Sequence, residues 1–244
     1  MALTKVTSGV LATDAVGVAS LSATGTASAT TYLRGDNAWA AVSSSGLNSV
    51  QTFTSSGTWT RPTDVTKVIM EVQGAGGSGS YESADNKCHG GGGGGYARKF
   101  LDVSSISTST ITVGVGGAST TSTGAGTIGG VSSWADGTNT ITGNGGAGGS
   151  VSVDVASNGG TGVGGDINIT GGRTSGNYAY GDQAGCTPLG EGGHGAVGAA
   201  GNVFYQIPTG YGAGSGLFNS SQGTTSYDDS PQGGAGIVIV WEYK

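Results

Sequence analysis

Four stretches carry most of the side chains with which this chain could recognise or transform another molecule. They are 80–89 (SYESADNKCH), 173–189 (RTSGNYAYGDQAGCTPL), 202–211 (NVFYQIPTGY) and 217–232 (LFNSSQGTTSYDDSPQ). They hold Tyr81, Tyr178, Tyr180, Phe204, Tyr205, Tyr211, Phe218 and Tyr227, set among Ser, Gly and Asn. Tyrosine in such company is the composition of antibody paratopes, where rigid amphipathic rings supply contact area and small polar neighbours supply adaptable hydrogen bonds. The same rings can stack on sugar faces. These aromatic residues are therefore the candidate binding residues; the plainer alternative is that they only cap the scaffold that carries them.

The same stretches hold the reactive groups. Cys88 and Cys186 permit one disulfide, which would fasten the first stretch to the second, and two thiols suit the sequence equally well. With His89 and His194 they supply the atoms of a Cys₂His₂ zinc site, but Cys88 and His89 are adjacent and no C-x₂-C occurs, so no metal is expected. Asp228-Asp229, or Glu82 with Asp85, have the chemistry of a glycosidase, which needs two carboxylates about 5–9.5 Å apart on a stiff support. In short polar loops such acids more often serve as turn residues. No G-x-x-x-x-G-K-[ST] occurs to cradle a phosphate. The expectation is binding without turnover, and no cofactor.

What must position these stretches is glycine. The chain has 53 Gly in 244 residues, gathered into GAGG (74–77), HGGGGGG (89–95), GNGGAGG (143–149), NGGTGVGG (158–165), GEGGHG (190–195), GYGAG (210–214) and QGGAG (232–236). Glycine loses the most backbone entropy on folding, so this density means either a compensating structure or a flexible linker. There is no strict G-X-Y period for collagen, and charged residues are only 10%, whereas disordered chains combine low hydrophobicity with high charge. The net charge of −6 without a basic cluster argues against a nucleic-acid partner. No apolar run is long enough to span a membrane.

The ordered elements bracket the glycine. Residues 1–47 read as a separate module, rich in Ser, Thr, Ala and Gly and too poor in apolar residues to form a core alone; the remainder, 48–244, reads as one glycine-rich domain. A short hairpin is predicted in Thr30–Ala40 around Gly35-Asp36-Asn37, and another in Gln51–Thr60 around Ser55-Ser56-Gly57. Arg34-Gly35-Asp36 is read as part of that turn and not as an adhesion motif. Val65–Val72, Tyr96–Val103 and Thr108–Val115 are predicted strands, and Val131–Ala135 with Thr138–Thr142 a hairpin around Asp136-Gly137. Gly236–Tyr243 (GIVIVWEY) is apolar on both faces and is expected centrally in a sheet, beside Thr66–Gln73. Strong strands at both ends would otherwise have to close a very long disordered loop, which favours packed glycine.

The blocks FTSSGTWTRPTDVTKVIMEVQGAGGSG, GGGGGYARKFLDV, TITVGVGGA and GGAGIVIVWEYK resemble the glycine-rich domain of phage tail fibres and related surface proteins, and TTYLRGDNAWA resembles the short repeats of tail-fibre stalks. The glycine pattern is also similar in style to distal adhesins of T-even-like phages, built from bundled polyglycine-II helices. Such a helix has three residues per turn, a rise of about 3.1 Å and no internal hydrogen bonds, so its backbone groups must pair with neighbouring helices.

The resemblance implies a mainly β fold with extensive coil and essentially no helix. In it an N-terminal attachment and trimerisation segment (1–47) precedes a β-framework enclosing the glycine bundle (48–244). It also implies a virion protein, extracellular after release, that binds a host-surface glycan or outer-membrane protein through the eight aromatic residues. Other tail proteins would be held through residues 1–47, and a homotrimer is expected. A self-assembling filament or surface protein is the alternative, and a polysaccharide depolymerase the third.

Overall fold

The computed structural model describes residues 23–42, 45–82, 88–152, 155–174, 183–193, 195–197, 203–205, 207–216, 218–219 and 230–244. The chain divides into two compact units, Met1–Ser45 and Gly46–Lys244. Within the first, β1 (Thr31–Leu33) and β2 (Trp39–Ala41) form the expected antiparallel hairpin, with Leu33 opposite Trp39. Its turn is tightened by Asn37 at φ 63°, a left-handed conformation that asparagine tolerates.

The second unit is all β and coil, and no helix occurs among the described residues. Its strands begin with β3 (Leu47–Phe53), β4 (Gly57–Thr60), β5 (Lys67–Gln73), β6 (Tyr81–Glu82), β7 (Tyr96–Asp102), β8 (Thr108–Thr112), β9 (Ser132–Ala135) and β10 (Thr140–Gly143). They continue with β11 (Gly162–Val163), β12 (Ile167–Ile169), β13 (Gly190–Glu191), β14 (Gly195–Val197), β15 (Val203–Tyr205), β16 (Thr209–Gly210), β17 (Phe218–Asn219) and β18 (Ile237–Tyr243). Two five-stranded antiparallel sheets, ordered β12-β7-β5-β18-β3 and β11-β10-β9-β8-β4, face each other as a sandwich.

Period-two alternation builds the core. Val68, Met70 and Val72 of β5 and Val238 and Val240 of β18 point inward, where they meet Trp59, Ile111, Trp134 and Ile141 of the other sheet. The Trp59 and Trp134 rings lie with centroids 4.8 Å apart, tilted by 50°, a favourable aromatic geometry. As expected, β18 is interior to its sheet, with Val238 opposite Val72 on one side and Phe53 on the other. The same alternation turns Glu242 inward with no exposure. Its carboxylate accepts hydrogen bonds from Trp59 Nε1 (2.7 Å), Gln51 Nε2 (2.7 Å) and Ser49 Oγ, which ties β18 to β3 in its own sheet and to β4 in the other.

One expectation fails. The 51–60 stretch is not a hairpin: β3 pairs with β18 and β4 with β8, so the chain turns a corner from one sheet to the other. Crossing between sheets lets both Phe53 and Trp59 reach the core, which a flat hairpin would allow only on one face. The corner is held by Ser56 Oγ, which accepts the Val113 N–H at 3.0 Å.

The glycine segments are ordered, as runs that leave one end of the sandwich and return to it. In the 74–80 run the N–H groups are donated in rotation. Gly74, Gly77 and Ser80 donate to Gly95, Gly92 and His89; Ala75 and Ser78 donate to Gly130 and Thr127; Gly76 donates to Gly234. Its carbonyls accept from Gly146 and Gly149, from Gly117, and from Ser215. The run therefore has six neighbours, reached with a period of three. The 90–95 run repeats the arrangement, donating to the runs containing Ser215, Ala147 and Gly172 and accepting from those containing Gly77, Gly160 and Gly185. This is hexagonal packing of polyglycine-II helices, with most backbone groups of the two central runs directed at a neighbour.

The period also decides composition. The 90–95 run has no outward face and is glycine throughout. Peripheral runs expose one residue in three, and that residue is not glycine: Val115 and Ala118, Ile128 and Val131, Asn158 and Thr161, Gln183 and Cys186, Gln232 and Ala235.

Candidate functional site

The runs are anchored on the sandwich at one end, so the segments that join them at the other end form a tip. At the base, Gln73 follows the last core residue of β5, and its Nε2 donates to the carbonyls of Gly94 (2.9 Å) and Gly95 (3.1 Å). At the far end hydroxyl side chains replace the missing neighbours. Ser215 Oγ accepts the Gly79 N–H at 2.7 Å and donates to the Pro231 carbonyl at 2.5 Å. Thr174 Oγ1 accepts the Ser157 N–H, and Ser230 Oγ accepts the Thr120 N–H, each at 2.8 Å.

Around the first insertion these contacts converge. Ser80 Oγ accepts the His89 N–H at 2.8 Å and donates to the Ser150 carbonyl at 2.9 Å. The fully buried His89 ring reaches the Ser152 carbonyl through Nε2 at 3.0 Å, the geometry of a ring nitrogen that carries a proton. The Ser80–His89 clasp closes the mouth of the insertion and holds the 144–149 run against it. Sequence reasoning missed this role. Its only signal was position, because Ser80 and His89 are the first and last residues of the inserted stretch.

Four of the eight candidate aromatic residues come together on this tip. β6 and β17 pair in parallel with Tyr81 beside Phe218. Tyr81 also exchanges backbone hydrogen bonds with Gly124, which ties it to the neighbouring connection. β14 and β15 form a hairpin that places Phe204 opposite Ala196 and Tyr205 opposite Gly195, and β15 lies against β17. Tyr211 is elsewhere: it sits near the base, donating its N–H to the Leu189 carbonyl at 3.0 Å and accepting from Thr187 Oγ1 at 2.7 Å. It is the residue on which a run turns outward again, not one of the tip. Tyr178, Tyr180 and Tyr227 lie outside the described residues, as do Asp85, His194, Asp228 and Asp229.

The cysteines are not joined; both are thiols, Cys88 buried and Cys186 exposed. The bundle explains why. The Cys186 carbonyl packs against Gly93, and Cys88 lies five residues away along the run containing Gly93, about 15 Å at the polyglycine rise. A disulfide needs Cα atoms within roughly 7 Å.

At the opposite end of the sandwich a cleft of about 390 Å³ is lined by Asp102, Ser105, Ile106, Ser107, Thr108, Asp136, Thr138 and Asn139. Its carboxylates are engaged in their own turns. Burial raises the Asp136 pKa, but the backbone and side-chain donors of Asn139 and the Thr138 N–H outweigh burial and hold it below the usual carboxylate range. The Ser104 side chain and N–H likewise lower that of Asp102. Among the described residues, no group of three potential metal ligands converges.

Fold and site together define a class of protein: a β-sandwich base that carries a hexagonal glycine bundle, with aromatic residues in the connections at its far end. Comparison with protein families agrees. Residues 49–243 match the family described as a glycine-rich domain, and the chain belongs to it. No curated protein matches the chain.

Proposed function

We propose that this protein is the receptor-binding part of a phage tail fibre, and that it recognises a host-surface glycan or outer-membrane protein through the tip of its glycine bundle. The observation that supports this reading is the gathering of Tyr81, Phe204, Tyr205 and Phe218 at the end of a stiff bundle remote from the sandwich. Aromatic connections on a rigid support suit recognition, since binding orders little that is not already ordered. No turnover is involved. In this reading residues 1–47 attach to other tail proteins and assemble a homotrimer, and several copies on one virion raise a weak single-site affinity by avidity.

The test is saturable binding of fluorescently labelled full-length protein to intact cells from a panel of Gram-negative bacteria. The expected result is binding to a subset of strains, lost when Tyr81→Ala and Phe218→Ala are combined and retained with Tyr211→Ala. No saturable binding on any strain, or equal loss with Tyr211→Ala, would overturn the proposal.

A further inference from the structure

The outer face of the sheet β12-β7-β5-β18-β3 is turned away from the core. Cross-strand register places Val50, Trp241, Ile69 and Phe100 in one continuous row over four adjacent strands. Val50 is 43% exposed and Phe100 53%. Ile69 and Trp241 between them are half-buried. Large apolar residues aligned over four strands, with no covering layer among the described residues, mark an interaction surface.

The rows on either side show what covers it. On one side Lys67 of β5 neighbours Asp102 of β7; on the other, two residues along each strand, Glu71 neighbours Arg98. A two-fold axis laid along the apolar row, in the plane of the face, exchanges these flanking rows and keeps each strand over its counterpart. Lys67 then meets Glu71 of the other copy, and Asp102 meets its Arg98, so four oppositely charged pairs ring a row of apolar residues packed on itself. Tyr243 meets Ile239 by the same operation. A two-fold interface must be complementary to itself, and this face is, in both charge sign and apolar position.

We infer that a second copy of this chain covers the outer sheet face, packed sheet on sheet about a two-fold axis along the Val50–Trp241–Ile69–Phe100 row. Four strands of seven residues and β12 of three give a face on the order of 500 Å² per copy in projection. The total, about 1,000 Å², lies at the low end of specific interfaces, so association is weak and concentration-dependent. The mass in solution is an even number of chains: two, or six where residues 1–47 also join three.

The test is light scattering of the full chain over a wide concentration range, with variants at the exposed Phe100 and Lys67 and at the largely buried Glu71. Phe100→Lys, which sets two lysines face to face on the axis, is expected to raise the dissociation constant of pairing about 30-fold or more, the scale of a hot-spot contact. Lys67→Glu and Glu71→Lys are each expected to weaken pairing about tenfold, and reversal of all four charges (Lys67→Glu, Glu71→Lys, Arg98→Glu and Asp102→Lys) to restore it, because the pairs within each copy and between copies are then rebuilt with signs reversed. A mass of one or three chains at every concentration would overturn the inference, as would a Phe100→Lys mass equal to that of the parent. Failure of the fourfold variant to recover would overturn the two-fold arrangement specifically. None of these residues is at the bundle tip, so cell binding and pairing fail independently.

Discussion

Replacing Gly94 with alanine tests the hexagonal packing at its centre. A Cβ built on Gly94 lies 2.1 Å from the Gly74 carbonyl oxygen and 2.4 Å from its carbon, both backbone atoms of the adjoining central run. Relief to ordinary contact requires that run to retreat by about 1 Å. The bonds it would stretch are Gly74 N–H to Gly95 (2.8 Å), Gly77 N–H to Gly92 (3.0 Å) and Ser80 N–H to His89 (3.0 Å), all donated to the run that carries the new methyl group. Three buried donors left unpaired cost about 1–3 kcal/mol each, so the substitution is expected to cost on the order of 3–9 kcal/mol, a large share of a typical domain's roughly 5–15. Gly57→Ala is the control, since a Cβ there has nothing within 4 Å; it is expected to be neutral or slightly stabilising. Urea denaturation followed by the fluorescence of the buried Trp59 and Trp134 measures both. A Gly94→Ala midpoint matching that of Gly57→Ala would refute the close-packed bundle.

Three further outcomes follow from the same geometry. Glu242→Met removes the single oxygen, Oε1, that accepts from both Trp59 Nε1 and Gln51 Nε2; with two donors left unpaired, a loss of at least about 2 kcal/mol is expected in the same denaturation assay. In thiol titration with a coloured disulfide reagent, the exposed Cys186 reacts in native buffer, whereas the buried Cys88 reacts only in denaturant. The depressed Asp136 pKa stabilises the fold above the unfolded-state value near 4, and that stabilisation is lost as pH falls through the lower folded-state value. Asp136→Asn is therefore expected to be less stable than the parent at pH 7 and to converge with it at pH 2–3, read from thermal melts.

The strands that carry the core were legible because period-two alternation is local. Val68, Met70 and Val72 announce one buried face of β5, and GIVIVWEY announces a strand flanked by neighbours on both edges. The polyglycine-II character was legible from composition joined to the strands at either end. The identity of each run's neighbours was not, since Gly76 donating to Gly234 is a contact across most of the chain that no local pattern encodes. The period of three was present in pairs such as Gln183/Cys186 and Gln232/Ala235, and it would have set Cys186 outward, away from any disulfide with Cys88. Tyr211 was grouped with the tip because it stands in an aromatic insertion, yet that insertion spans the whole length of a run and its last residue is back at the base.

Because hydrogen-bond partners recur every third residue, the bundle imposes a grammar on how this protein can change in length. Adding one or two residues to a peripheral run would rotate Ile128 or Val115 into a space that admits only hydrogen and send a glycine to the surface. Adding three restores every partner and lifts the adjoining connection by about 9 Å. The reach of the tip is thus quantised, and lineages of this fold should differ in run length by multiples of three while the connections between runs vary without restriction.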